Sequence, residues 1–121
     1  MVARSNKMIG EFLDKPKTRT YFSVIEDYVK KLGPSKKEIK AQVSYSVHRK
    51  FLWMWAYEQT LDGTLYLTVT IDKKLDNPHF HYVTQTSKNR WNHHVEVKSK
   101  AIATSGWLHR LIKAGYDFAQ K

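Results

Sequence analysis

The stretch TLYLTVTID, residues 64–72, decides the fold because aliphatic residues alternate in it with aromatic or polar ones. This period of two is typical of a β-strand that packs one face on a hydrophobic core. Asp62-Gly63, directly before it, is a turn signal that favours a hairpin. The predicted core-facing residues are Leu65, Leu67, Val69 and Ile71, and the residues of the other face are Tyr66, Thr68 and Thr70.

Further strands are predicted on both sides of this stretch. FLWMWAY, residues 51–57, is apolar on both faces, which is typical of a central strand that is covered on each side. We therefore place Phe51, Trp53, Trp55 and Tyr57 in the core. Residues 38–50 carry one or two short strands, and HFHYVTQT (79–86) and HHVEVKS (93–99) carry one each. Because the connections are short, we predict a mainly antiparallel sheet of about five strands.

A helix is predicted before the sheet and another after it. TRTYFSVIEDYVKKLGP, residues 18–34, has apolar residues at helical spacing, and Thr18 or Thr20 can cap its start. Residues 8–14 are expected to form one or two helical turns, and residues 1–7 to be mobile. The last helix is predicted over 103–119. Its buried stripe consists of Leu108, Leu111, Ile112, Gly115 and Ala119.

These elements predict an α+β fold in one domain that spans residues 1–121. The N-terminal helix precedes the sheet, and the C-terminal helix packs on one face of the sheet. The chain has no cysteine, which excludes disulfide bonds and zinc–thiolate sites. Its longest apolar run is much shorter than the ~20 residues of a membrane-spanning helix. The start MVARSNKMIGEF has no apolar segment of a secretory signal, so we expect a cytoplasmic protein without membrane association.

Charge is the strongest compositional signal. The sequence has 21 Lys and Arg against 11 Asp and Glu, a formal net charge of +10. A basic field of this size favours polyanions, among which nucleic acid is the commonest inside cells. The basic residues expected to attract a polyanion flank the first strands: Lys36, Lys37, Lys40, Arg49 and Lys50. They can equally protect strand edges against aggregation.

Four of the six histidines lie between residues 79 and 94 and raise the question of a metal site. His79 and His81 share one face if they belong to a strand, and a neighbouring strand could add His94. His93 and His94 are consecutive and must point to opposite faces. At most one of them can therefore be a ligand together with His79 and His81. A zinc site needs three or four fixed ligands. We therefore expect no bound metal.

The sequence contains no pattern of a known catalytic site. It lacks the GxSxG elbow, the HExxH helix motif, a glycine-rich phosphate loop and the spacing of a catalytic carboxylate pair. We expect a non-enzymatic protein with no catalytic residue and no cofactor.

A nucleic-acid surface accounts for more of the residues. Aromatic rings beside cations can stack on unpaired bases and bind phosphates. The predicted ligand-binding residues are Arg90, Trp91, His93, His94 and Lys98. The predicted function is an intracellular binding domain for nucleic acid or another polyanion. The alternative is a module that binds a small molecule or a partner protein in a cleft around Trp91, His93 and His94.

Three segments carry a resemblance to a known family: YFSVIEDYVKKLGP (21–34), KKEIKAQVSYSVHRKFLWMWAY (36–57) and RWNHHVEVKS (90–99), followed by a closing helix that ends AGYDFAQ. In their order and spacing they resemble a group of domains of unknown function with a predicted-transport-protein label, related in shape to YdhG-like and YjbR-like proteins. The resemblance implies a curved, mostly antiparallel sheet with flanking helices. It also implies a structural or ligand-facing role for Trp91, His93 and His94, and by analogy DNA binding.

Overall fold

The computed structural model describes residues 8–9, 15–57 and 61–121. The elements, in chain order, are β1 (Met8–Ile9), α1 (Pro16–Leu32), β2 (Lys36–Ile39), β3 (Val43–Ser46), β4 (Lys50–Tyr57), β5 (Leu65–Ile71), β6 (Tyr82–Ser87), β7 (Arg90–Val97), α2 (Lys100–Ala103) and α3 (Gly106–Ala119).

The sheet is antiparallel throughout, in the order β2-β3-β4-β5-β7-β6. The α+β class, the N-terminal helix and the C-terminal helical layer agree with the prediction from the sequence. The strand number is higher than predicted, with six strands along this path and the two-residue β1 paired to the end of β4. Met8–Ile9 is thus a strand rather than the predicted helical turn. The rest of that turn, residues 10–14, and the start expected to be mobile, residues 1–7, lie outside the described residues.

The described helices lie on one face of the sheet, which we call the helix-bearing face. The predicted register of β5 is correct: Leu65, Leu67, Val69 and Ile71 are all buried on this face. The neighbouring strands add buried residues to the same face, because Leu67 pairs with Met54 of β4 and with Val95 of β7. Gly115 of α3 packs directly on β5. A Cβ added at this glycine would lie 2.6 Å from Val69 Cγ1.

Helix α1 begins two residues before the predicted start and is capped from a distant part of the chain. Its N-cap residue, Lys15, contributes no side-chain cap, and the predicted caps Thr18 and Thr20 both lie inside the helix. The Asp62 carboxylate instead accepts hydrogen bonds from the backbone N–H groups of Lys17 (3.1 Å) and Thr18 (3.0 Å). Partial desolvation acts to raise the Asp62 pKa, but these bonds outweigh it and hold the pKa below its ordinary value.

The C-terminal region forms two helices where one was predicted. The short α2 is capped by the Ser99 hydroxyl, which accepts from the Ile102 N–H at 3.1 Å. After a break at Thr104 and Ser105, α3 buries the predicted stripe. Tyr28 of α1 stacks on His109 of α3 at 4.0 Å, which joins the two longest helices. Among the described residues, no helix is long and apolar enough to cross a bilayer.

Candidate functional site

The other face of the sheet carries no described helix, and we call it the open face. It includes the side chains of Lys50, Trp53, Trp55, Tyr57, Tyr66, Thr68, Thr70, Tyr82, Thr84, Arg90, Asn92, His94 and Glu96. The prediction that Trp53, Trp55 and Tyr57 belong to the core is wrong, since all three are half-buried here. Phe51 does belong to the core. The strand pairing is irregular at this point, so Phe51 joins Leu52 on the helix-bearing face.

Three adjoining hollows run along the open face in the direction of the strands. The first, of about 350 Å³, lies among Lys50, Trp53, Thr70, Thr86, Arg90, Asn92 and Phe118, and we call it the basic cavity. The middle hollow, of about 230 Å³, shares Trp53 and Asn92 with the first and extends to Trp55 and His94. The third, of about 140 Å³, is lined mainly by aromatic side chains and is called the aromatic cavity. The shared residues make the three hollows one groove.

Aromatic rings line the aromatic cavity. Trp55 stacks on Tyr66 with ring centres 5.9 Å apart, and Tyr57 meets the edge of Tyr66 at 5.2 Å. Tyr82, from the edge strand β6, is half-exposed. Among the described residues, none accepts a hydrogen bond from the buried indole N–H of Trp55. The groove therefore offers flat apolar surfaces together with an unsatisfied donor.

His94 connects three strands at the centre of the groove. Its Nδ1 is 2.9 Å from the Thr68 hydroxyl, its Nε2 is 3.1 Å from the Thr84 hydroxyl, and Tyr82 stacks on its ring at 4.1 Å. Burial lowers the His94 pKa, and the nearby His81 and His93 lower it further. The lowered pKa favours the neutral form of the ring. A charge-assisted contact from His94 is therefore less favourable than one from an ordinary histidine.

The basic cavity combines two cations with neutral hydrogen-bonding groups. The Thr70 hydroxyl donates to Asn92 Oδ1 at 2.6 Å, which fixes the orientation of the Asn92 amide. Lys50 forms an ion pair with Glu38 at 2.9 Å. Among the described residues, no carboxylate lies within ion-pair distance of the Arg90 guanidinium. Arg90 therefore gives this cavity an uncompensated positive charge.

The opposite end of the groove contains a carboxylate. Glu96 lines the aromatic cavity, and its carboxylate lies 3.4 Å from Lys98 Nζ and 4.0 Å from His81 Nε2. The predicted ligand residue Lys98 is exposed and is engaged in this ion pair. The groove thus has two cations at one end and, at the other, a carboxylate that is paired with a lysine.

The predicted ligand-binding residues do not all lie on one face. Arg90 and His94 belong to the open face, whereas Trp91 and His93 lie on the helix-bearing face, opposite Ile71 and Val69 of β5. Trp91 is half-buried there. Thus the proposed cleft around Trp91, His93 and His94 would have to include residues from both faces of the sheet.

His93 has a structural environment. The Leu75 backbone N–H donates to His93 Nε2 at 3.0 Å, so this nitrogen is unprotonated. The proton of the neutral ring is then on Nδ1, which lies 3.4 Å from the Val69 carbonyl oxygen. Burial lowers the His93 pKa despite this carbonyl. His93 therefore holds the connection between β5 and β6 against the sheet.

The remaining histidines of the cluster lie outside the strand predicted for them, since β6 begins only at Tyr82. His79 lies in a turn and stacks on Trp107 at 4.7 Å. His81 is exposed directly before β6, so the two rings do not share a strand face. In the described part of the chain, no three His, Asp or Glu side chains are grouped as metal ligands.

The basic residues around the first strands are largely paired. Lys37 lies 2.7 Å from Glu26, and Lys40 lies 3.3 Å from Glu38. Arg49 donates to the Lys121 carbonyl oxygen at 2.8 Å and lies over the Phe118 ring. Lys36 is exposed on the edge strand β2. Of the five predicted electrostatic residues, only Lys50 lines the basic cavity.

A family model described as a domain of unknown function, DUF5655, matches residues 9–119. The chain belongs to this family. The match covers both described helical regions and the whole six-stranded path, so the groove is part of the DUF5655 domain itself. No curated protein and no solved structure matches the chain.

Proposed function

We propose that this DUF5655 domain is a non-enzymatic intracellular binding domain and that its open face binds single-stranded nucleic acid. One observation supports this most directly. Side chains from four neighbouring strands place aromatic rings and two cations in one groove that no described helix covers.

Single strands are favoured over duplexes for a geometric reason. Bases in a duplex are already stacked on each other, whereas unpaired bases can stack on side chains. Trp53 and Trp55 are two residues apart on β4, so their side chains point to the same face about 6.7 Å apart along the strand. A stacked base contributes about 1–3 kcal/mol to binding, with little dependence on its identity.

The charge of the chain supports the same ligand class. The net charge of +10 attracts a polyanion from a distance, and Lys50 and Arg90 carry positive charge into the groove. The exposed Lys36 contributes attraction that is independent of sequence and weakens with salt. The sequence also resembles YdhG-like and YjbR-like proteins, and by analogy this resemblance favours DNA as a ligand.

Fluorescence anisotropy with a labelled single strand and the corresponding duplex, at two salt concentrations, tests the proposal. Wild type should bind the single strand more tightly, with an affinity that falls steeply as salt rises. Trp53→Ala should raise the Kd by about 5- to 150-fold, the equivalent of one stacked base. Trp91→Ala is the matched control, because Trp91 is also half-buried but lies on the opposite face.

Two results would contradict the use of the open face. If Trp53→Ala bound like wild type while Trp91→Ala lost affinity, the ligand site would be the predicted patch that includes Trp91. If neither oligonucleotide bound at low salt, nucleic acid would not be the ligand. Thermal unfolding of both variants shows that each remains folded.

A small-molecule module is the second candidate, and the aromatic cavity is the observation that favours it. Trp55, Tyr66 and Tyr82 provide apolar walls, while His94 and the Trp55 N–H provide polar groups. This combination is typical of small-molecule sites, although about 140 Å³ holds only a small group. Binding of a neutral ligand here should be nearly independent of salt, which separates it from nucleic-acid binding.

A further inference from the structure

The basic cavity differs from the rest of the groove in its donors. Because Thr70 donates to Asn92 Oδ1, the Asn92 Nδ2 group retains its N–H donors for another acceptor. Arg90 contributes guanidinium donors, and Lys50 contributes an ammonium group. The Thr86 hydroxyl, directed to the Arg90 carbonyl oxygen at 3.4 Å, lines the same cavity. The side chains able to donate therefore outnumber the acceptors, and the cavity is suited to an anion with several oxygens.

The surroundings of the basic cavity differ from side to side. Phe118, near the end of α3, forms part of its wall, with Thr86 of β6 and Arg90 of β7 beside it. The groove continues past Trp53 and Trp55, and a further hollow that contains the Glu38 carboxylate adjoins the cavity at Lys50 and Trp53. The aromatic rings available for stacking therefore lie on the Trp53 side of the cavity.

The charge gradient along the groove points the same way. From Arg90 to Glu96 along β7 the distance is roughly 20 Å, the rise of six residues in a strand. At the far end the Lys98 ammonium is already paired with the Glu96 carboxylate, so this end attracts a phosphate less than the basic cavity does. A ligand that concentrates its charge at one terminus matches this distribution and places its bases over the aromatic residues.

We propose that the basic cavity binds the terminal phosphate monoester of a short single strand, with the adjoining bases stacked along Trp53 and Trp55. This inference rests on the proposed function and specifies that the single strand is bound through a terminal phosphate. A terminal monoester carries about −1.5 to −2 charges at pH 7 and three terminal oxygens. An internal diester carries a single charge, so two cations and the Asn92 amide discriminate in favour of the terminus.

The test compares three oligonucleotides of five identical bases that carry a 5′-phosphate, a 3′-phosphate or no terminal phosphate. Wild type should bind one of the phosphorylated strands about tenfold or more tightly than the unphosphorylated one. Arg90→Ala should abolish this preference and change the affinity for the unphosphorylated strand much less. Arg110→Ala removes an exposed arginine of α3 outside the groove, and should behave as wild type.

The outcomes separate the two proposals. Equal affinity of wild type for all three strands would overturn the terminal-phosphate inference and leave single-strand binding intact. A preference that persists in Arg90→Ala would also overturn it, because the discriminating cation would lie elsewhere. If none of the three strands bound, the proposed function would be overturned, and the inference with it.

Discussion

The two faces of β5 are both buried, yet they are buried by different means. Leu67 has no exposed surface and packs under the helices, while its neighbour Thr68 is only 5% exposed on a face without a described helix. Thr68 and Thr70 are covered by the side chains of adjacent strands and are satisfied by His94 and Asn92. The comparison shows that a deep position on an uncovered sheet face is compatible with polar residues, provided that each finds a hydrogen-bond partner.

The helix-bearing face should carry most of the stability. Leu67→Ala removes a fully buried side chain between β4, β7 and the helices, and should lower the free energy of unfolding by about 2–5 kcal/mol. Urea denaturation followed by circular dichroism measures this. A loss below 1 kcal/mol would mean that the packing of the helices on β5 is much looser than the contacts indicate.

Close packing on this face should make an added methyl group costly. Gly115→Ala places a Cβ against Val69 Cγ1 and the Phe51 ring, and overpacking of this kind costs about 1–3 kcal/mol. Val69→Ala removes the atom that clashes. In the Val69→Ala background, Gly115→Ala should therefore lower the free energy of unfolding by less than it does in wild type. Additive effects of the two substitutions would contradict a direct contact.

A substitution at an equally buried position of the open face should lower the free energy of unfolding by less. Thr68→Val keeps the shape of the side chain but removes its hydrogen bond to His94 Nδ1, and should cost about 0.5–1.5 kcal/mol. Urea denaturation of Thr68→Val and Leu67→Ala under the same conditions gives the ratio of the two losses in free energy of unfolding. If Thr68→Val cost as much as Leu67→Ala, the two faces would not differ in their contribution to stability.

The smallest expected effect is a dependence of stability on pH. Burial lowers the pKa of His93 below 6.5, so the unfolded chain binds a proton more readily than the folded one. The contribution of His93 is complete above pH 6.5 and is lost as the pH falls through the folded-state pKa. Two-dimensional NMR should give a pKa below 6.5 for this ring.

The variant His93→Gln, whose side chain does not titrate, provides the control for that measurement. Its stability should depend less on pH below 6.5 than that of wild type. An unchanged pH profile would assign the effect to His94, whose pKa is also lowered, on the open face.

Local alternation predicts the register of β5 correctly, but the strand predicted at β7 is too short. The predicted strand begins at residue 93 and leaves out Trp91. The strand begins at Arg90. Extending the period of two backwards from Val97, Val95 and His93 would have placed Trp91 on the helix-bearing face.

The environment of the aromatic residues of β4 and the partners of Thr70 and His94 cannot be predicted from the local sequence. An apolar run such as residues 51–57 does not show whether its second face is covered, because large aromatic residues are stable when half-exposed. Whether Trp53 and Trp55 lie under a helix depends on where the helices pack. The partners of Thr70 and His94 likewise follow from strand order, which places β7 beside β5 although β6 comes first in the chain.

The first turn of α1 depends on a carboxylate that is synthesised about 45 residues later. Until Asp62 emerges, the N–H groups of Lys17 and Thr18 lack this acceptor. At ribosomal speeds of roughly 5–20 residues per second, the interval is about 2–9 seconds. We therefore expect the N-terminal helix of the nascent chain to fray at its start during this time, and to become complete only when the β4–β5 hairpin closes and brings Asp62 to it.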